Sequence, residues 1–239
     1  MITLLATTDE PYLERLVDFM PEIIQSLIDT GIMMVFAMAA AILLGLPLGT
    51  LLFLTSDGKP RENKVINNIA NTFVNIIRAF PFLLLVVAML PLIRRFYGRA
   101  TGDPVAASFP MMLISLALYA RFVEQSLLDV PTGVIELAEA MGASTSQLVF
   151  KFLYVEARSS LIIGFTTALV SFVSYSTIMG VVGGGGIGDF AIRYGYQRFE
   201  TDIMYTAIVI IIVLVEIAQW LGLKPVSYTH LRAHETRHD

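Results

Sequence analysis

Residues 32–54 form an unbroken run of 23 positions without an ionisable side chain. A helix rising about 1.5 Å per residue crosses a roughly 30 Å hydrocarbon core in about 20 residues, so this run is long enough to span a membrane. Four further stretches meet the same test. Residues 79–93 are extended backwards by 65–77, where Asn and Thr interrupt the apolar pattern; residues 108–128 carry Arg121 and Glu124 near their end. Residues 161–182 are uncharged, and residues 203–223 carry only Glu216. Pro47, Pro81, Pro91 and Pro110 would break soluble helices, but spans tolerate them because neighbouring groups re-satisfy the freed backbone. The expected fold class is all-α, an integral membrane protein with five transmembrane helices.

Composition agrees with this reading. Hydrophobic residues make up 56% of the chain and charged residues 15%, well under the roughly 25% charge of soluble domains. Sixteen Lys+Arg against twenty Asp+Glu give a net charge of −4, which argues against a nucleic-acid partner because no basic face can neutralise phosphates. The absence of cysteine excludes a disulfide scaffold, a thiolate metal site and a cysteine nucleophile. All three histidines, His230, His234 and His238, lie in residues 225–239, a polar stretch that follows the last apolar run abruptly. This tail resembles a translated cloning adapter, so it is set aside as non-native in character and no metal site is expected.

Residues 1–31 read as an N-terminal amphipathic segment leading into the first span. Leu13, Leu16, Val17, Met20, Ile24, Leu27 and Ile28 recur at helical spacing over 12–29. Asp9, Glu10, Glu14, Asp18 and Glu22 stand where a signal peptide needs basic residues. The membrane domain proper is 32–224. Counting Lys and Arg by side places Lys59, Arg61, Lys64, Arg78, Arg121, Lys151, Arg158 and Lys224 against Arg15, Arg94, Arg95, Arg99, Arg193 and Arg198, which favours an outside N-terminus and a cytosolic C-terminus.

Residues 129–160 are too polar for lipid yet strongly helical. Val134, Ile135, Leu137, Ala138 and Met141 precede Gly142, and Leu148, Val149, Phe152 and Leu153 follow it. Pro131 suits a helix start, and Ser144 or Thr145 can cap the second half. The segment therefore reads as a helix–turn–helix on the membrane surface. A plain connecting helix pair is one reading; its apolar positions exceed what one lipid-facing side requires, which favours a docking element for a partner outside the bilayer.

Glu136-Leu137-Ala138-Glu139-Ala140-Met141-Gly142 resembles the EAA loop of ABC-importer permeases. Leu137 replaces one Ala, and the later Phe152-Leu153-Tyr154-Val155 lacks the family's closing Pro. Gly45-Leu46-Pro47-Leu48-Gly49, Arg78-Ala79-Phe80-Pro81-Phe82, the glycine run 183–186 and Tyr194-Gly195-Tyr196 are similar to the methionine-importer permease branch. The resemblance implies a small five-span permease working as a homodimer in the bacterial cytoplasmic membrane, with 129–160 in the cytosol. Glu136, Ala138, Glu139, Gly142 and Ala143 would couple to a cytosolic ABC ATPase dimer, which binds the ATP and Mg; no cofactor is expected on this chain. An extracytoplasmic binding protein would deliver methionine, as L and D forms.

The residues themselves offer no enzyme. Gly58-Lys59 is followed by Pro60 and has no glycine partner upstream, so no phosphate-cradling loop is present. In the fourth span, Ser171, Ser174 and Thr177 share a face beside Tyr175, a candidate translocation path with Ile178 and Met179 as gate residues. Half or so of such hydroxyls usually bond a backbone carbonyl one turn back. Gly180, Gly183, Gly184, Gly185, Gly186 and Gly188 read as a hinge or outer loop, with Tyr194, Tyr196 and Phe199 adding aromatics. Arg121, Glu124, Glu216 and Arg78 are ionisable groups at depth, which pair or snorkel. The alternatives are a permease for another amino acid, an ion-coupled secondary transporter, or a membrane anchor for an enzyme complex.

Overall fold

The computed structural model describes residues 12–235, with side chains described through Trp220 and at Gly222. Asp9, Glu10 and the side chains of the tail, its histidines included, lie outside the described residues. Every regular element among the described residues is helical. Among the described residues, four helices are long and apolar enough to cross a membrane, and a sharply bent pair makes five if it is counted as one span. This is a multi-pass membrane protein.

The first span is longer than its charge-free run. Helix α1 (Tyr12–Asp18) stands apart, and Pro21 in the first turn opens α2 (Met20–Ala40), where its missing N–H costs nothing. Helix α2 continues through a π-helical turn (Ala41–Gly45) into α3 (Leu46–Thr55), giving one rod of 36 residues. The widened turn lies immediately before Pro47, whose ring would clash with the carbonyl four residues back in a regular ladder; the Leu46 N–H instead reaches the Ala41 carbonyl. The amphipathic lead-in therefore divides: residues up to Asp18 form their own helix, and those after Met20 belong to the span. Ile23, Ser26, Thr30, Met33, Ala37 and Ala40 recur every three or four positions and are buried.

The second span is not one straight helix. Helices α4 (Lys64–Ala79) and α5 (Phe82–Tyr97) meet at 104°. Pro81 excludes the helical region for Phe80, whose ψ is 128°, so the chain turns there.

Helix α6 (Pro104–Leu128) sits at the centre, packed against α2, α3, α4, α5 and α10 (Arg158–Val181). Asp103 caps it by accepting the Val105 and Ala106 N–H groups. Small residues set the α3–α6 approach: a Cβ on Gly45 would lie 2.8 Å from the Leu116 carbonyl oxygen, and one on Gly49 would overlap the Ala120 carbonyl. After α10 the chain folds back through α11 (Gly186–Phe190) and a second π-helical turn (Ala191–Tyr196) into α12 (Thr201–Glu235). Helix α12 packs on α10 with one side and exposes Tyr205, Ile208, Val209, Ile212, Val213 and Ile217 on the other, as a lipid-facing helix does.

Candidate coupling face and translocation path

Helix α7 (Thr132–Ala140) ends because Gly142 is left-handed, with φ +68°. The Ala143 N–H returns to the Ala138 carbonyl at 3.0 Å and the Gly142 N–H to Glu139 at 2.9 Å, closing the helix end. No atom lies within 4 Å of a Cβ placed on Gly142, so backbone conformation alone requires glycine there. Ser144, rather than Thr145, caps α8 (Thr145–Gln147) in a reciprocal pair with Gln147. A π-helical stretch (Leu148–Leu153) and α9 (Tyr154–Glu156) complete the loop.

Two faces result. Ile135, Ala138, Leu148, Val149 and Leu153 are buried and join the main core with Leu52, Phe53, Val123 and Leu127. Glu136, Glu139 and Gly142 face outwards with Leu137 (55% exposed), Met141 (68%) and Phe150 (66%), while Ala143 is half-buried. Of the residues in the EAA-like pattern, then, Ala138 packs inwards and the two glutamates are presented. Phe150 is the apolar member that sequence reasoning did not single out; its exposure follows from the π-turn, which rotates it off the buried stripe.

Polar contacts tie the loop to the first span and to the turn that follows it. The Arg61 Nε donates to Thr145 Oγ1 at 2.8 Å, beside a cavity of about 210 Å³ between the 56–63 turn and α7–α8. Thr50 Oγ1 and the Tyr154 hydroxyl lie 2.6 Å apart. Since Thr50 donates to the Leu46 carbonyl at 2.8 Å, Tyr154 donates to Thr50. Burial pushes the Tyr154 phenol up from its ordinary value, which keeps that proton in place, although the Thr50 contact opposes the shift. None of Arg61, Thr50 or Tyr154 carries a sequence signal of this role.

In α10 the Ser and Thr hydroxyls from Thr166 to Thr177 turn to their own helix. Thr166, Thr167, Ser171, Ser174 and Thr177 donate to the carbonyl four residues back, at 2.9–3.4 Å, and Ser176 to Val173 at 2.7 Å. Backbone bonding thus accounts for every one of them. Ser174 and Thr167 are exposed, and Ser171 and Thr177 are half-buried on the same side. The Tyr175 ring packs on Phe82 of α5 with centroids 4.6 Å apart. Ile178 is half-buried, whereas Met179 is 1% exposed, enclosed in the subunit core under Gly184.

The glycines fall into two groups with different causes. Gly183, Gly185 and Gly186 take positive φ, from 71° to 86°, and turn the chain back. Gly180, Gly184 and Gly188 are sites of close approach: a Cβ on Gly188 would be 2.5 Å from Thr177 Cα, and one on Gly180 would overlap the Asp189 backbone. Thr30 Oγ1 accepts the Ile187 N–H at 2.9 Å. The segment is therefore a packed re-entrant turn sealed against α2 and α10. Asp189 bonds Arg193 at 2.5 Å; partial burial raises its pKa, Arg193 opposes this, and Asp29 adds to it. Tyr194 packs against Phe19 and Phe190, while Tyr196 and Phe199 are exposed.

Arg121 pairs with Glu124 in its own helix and donates to Asn71 at 3.0 Å and Asn75 at 2.7 Å on α4. Asn71 in turn donates to Asn67, which donates to the Leu52 carbonyl at 2.8 Å. Arg78 and Glu216 are exposed. Breaking a buried pair leaves its partner charged and uncompensated. Glu124→Ala should therefore destabilise the chain by about 2–3 kcal/mol, less than for a fully buried pair because both side chains keep some exposure. Thermal unfolding in detergent checks this; an unchanged midpoint would refute it.

Known transport proteins are similar to this chain in sequence and in fold. The chain is 42% identical over 190 residues to the "Probable D-methionine transport system permease protein MetI" of Vibrio cholerae, covering 80% of this chain and 84% of that protein. It is 40% identical over 172 residues to the "Methionine import system permease protein MetP" of Bacillus subtilis, covering 72% and 77%. A chain of the inward-facing MetNI methionine ABC transporter structure superposes with a TM-score of 0.85 at 34% identity, covering 88% of this chain and 97% of its own. With residues 45–221 matching the binding-protein-dependent transport system inner membrane component, the chain belongs to that family of transport permeases.

Proposed function

We propose that this chain is the membrane-spanning subunit of an ATP-driven importer that passes methionine, in L and D forms, from an extracytoplasmic binding protein to the cytosol. The observation that carries the reading is the outward face of 129–160. Leu137, Met141 and Phe150 stand exposed together with Glu136 and Glu139, on a segment whose other side is part of the membrane core. A surface of this kind suits a rigid protein groove better than lipid, because two carboxylates flank it. The occupant is a cytosolic ABC ATPase, two copies serving a homodimer of this chain, and ATP with Mg sits on the ATPase. The loop is then cytosolic, the N-terminus outside and the C-terminus inside, in the bacterial cytoplasmic membrane. The path runs along the Thr167, Ser171, Ser174 and Thr177 side of α10, with half-buried Ile178 at its narrow end; Met179, expected as a second gate residue, is enclosed in the subunit core instead. Similarity to the two methionine permeases above supports the choice of substrate.

Reconstitution tests the proposal. Methionine uptake into liposomes should require ATP, the ATPase and the binding protein together. Uptake driven by an ion gradient alone would overturn the assignment, and uptake of a different amino acid in preference to methionine would overturn the substrate.

A further inference from the structure

The first span is the only rod that reaches the outer glycine turn and the cytosolic loop through a side-chain hydroxyl at each end, among the hydrogen bonds of the described residues. At the outer end, Thr30 holds the Ile187 N–H at 2.9 Å, and Gly185 and Gly186 are wrapped so closely on Asp29, Thr30 and Met33 that a Cβ on Gly186 would come within 2.7 Å of Met33. At the inner end, Thr50 receives the Tyr154 hydroxyl at 2.6 Å. Both threonines are buried. The two joints are separated by about 30 Å along the helix axis, at about 1.5 Å per residue.

Between them lies the π-helical turn Ala41–Gly45, followed by Pro47, the one place in the rod where the regular ladder is interrupted. A bend concentrates where the ladder is already broken. Gly45 and Gly49, at and just past this point, press on α6 and fix the position about which the two halves can tilt. The rod thus has an anchored end at each membrane face, a pliable turn, and a fulcrum next to it.

We propose that the first span transmits movement of the cytosolic loop to the outer re-entrant turn, with Tyr154–Thr50 and Thr30–Ile187 as its two joints and Ala41–Gly45 as its flexure. Thr30, Thr50 and Tyr154 are positioning residues that touch neither ATP nor substrate. The proposal rests on the reading of 129–160 as the ATPase docking loop.

The test uses the complete reconstituted importer, measuring ATP hydrolysis and methionine uptake in the same liposomes. Tyr154→Phe and Thr30→Val each remove one hydroxyl at nearly constant volume. Each should lower uptake per ATP hydrolysed by about fivefold, the size of a modest coupling free energy, while hydrolysis stimulated by the binding protein persists. Thr30→Ser should restore the ratio. Because the joints act in series, the double variant should fall no further than the worse single variant. Unchanged uptake per ATP in both single variants overturns the proposal. So does a double variant whose loss is the product of the two, which marks independent local damage, or parallel loss of hydrolysis and uptake with no rescue by serine. Failure of the docking reading shows separately, as hydrolysis and uptake that remain normal when Glu136 is reversed in charge.

Discussion

Glu136→Lys should reduce binding-protein-stimulated uptake by about a hundredfold while the chain still inserts, folds and survives extraction into detergent. The expectation follows from where the side chain stands. Glu136 is exposed on α7, one residue from Leu137, and makes no ion pair within the described residues, so reversing its charge leaves the subunit's own packing intact. A like charge brought against a basic partner surface costs several kcal/mol, and every 1.4 kcal/mol is a factor of ten. Gly142→Val attacks the same face by another route. At φ +68° a β-branched residue is strained, so the turn must reopen and the two halves of the loop no longer keep their present arrangement. Copurification of the ATPase with each variant measures the loss. If both variants bind the ATPase and transport normally, the exposed side of 129–160 is not the docking face.

The second large effect is on folding. Gly49→Val should strongly destabilise the folded protein, because even a methyl group overlaps the Ala120 carbonyl and lies 2.7 Å from Val123 Cβ. Helix α6 cannot step aside, since α2, α4, α5 and α10 hold its other sides. Overpacking of this kind costs about 3 kcal/mol or more, a large share of a typical stability of about 5–15 kcal/mol. Gly133→Ala makes the contrast: nothing lies within 4 Å of its Cβ, and its φ is not positive, so a helix former there should be neutral or slightly stabilising. Monodispersity and thermal unfolding in detergent decide both. A monodisperse Gly49→Val with an unchanged midpoint would refute the close α3–α6 approach.

Much of the fold was legible because spans announce themselves by length. The runs at 108–128 and 161–182 appear as α6 and α10 with ends shifted by a few residues, and 203–223 lies within the longer α12, which runs on to Glu235. The EAA-like pattern located the helical loop 129–160, since Gly142 and the surrounding apolar spacing dictate a helix, a left-handed turn and a second helix. The 104° break between α4 and α5 was not legible, although Pro81 was in plain view. A proline in a span is compatible with a gentle kink or a full turn, and only packing around Phe80 decides. Glycines carry the same ambiguity. Nothing in the sequence separates Gly185, chosen for its positive φ, from Gly188, chosen because Thr177 lies against it. Arg121 was visible as an ionisable group at depth, but Asn71 and Asn75, which hold it, come from another helix, and single-chain spacing cannot pair residues across helices.

The hydroxyls of α10 have a kinetic consequence. Thr167, Ser171, Ser174 and Thr177 each give their proton to their own backbone, so these four show the proposed path lone pairs and no free donor. A surface of already satisfied polar groups offers a passing solute only shallow wells of similar depth. Deep wells would slow departure as much as they hastened arrival, and a conduit is limited by its slowest exit. A lining that holds nothing firmly is one that a solute can leave as soon as the far side opens.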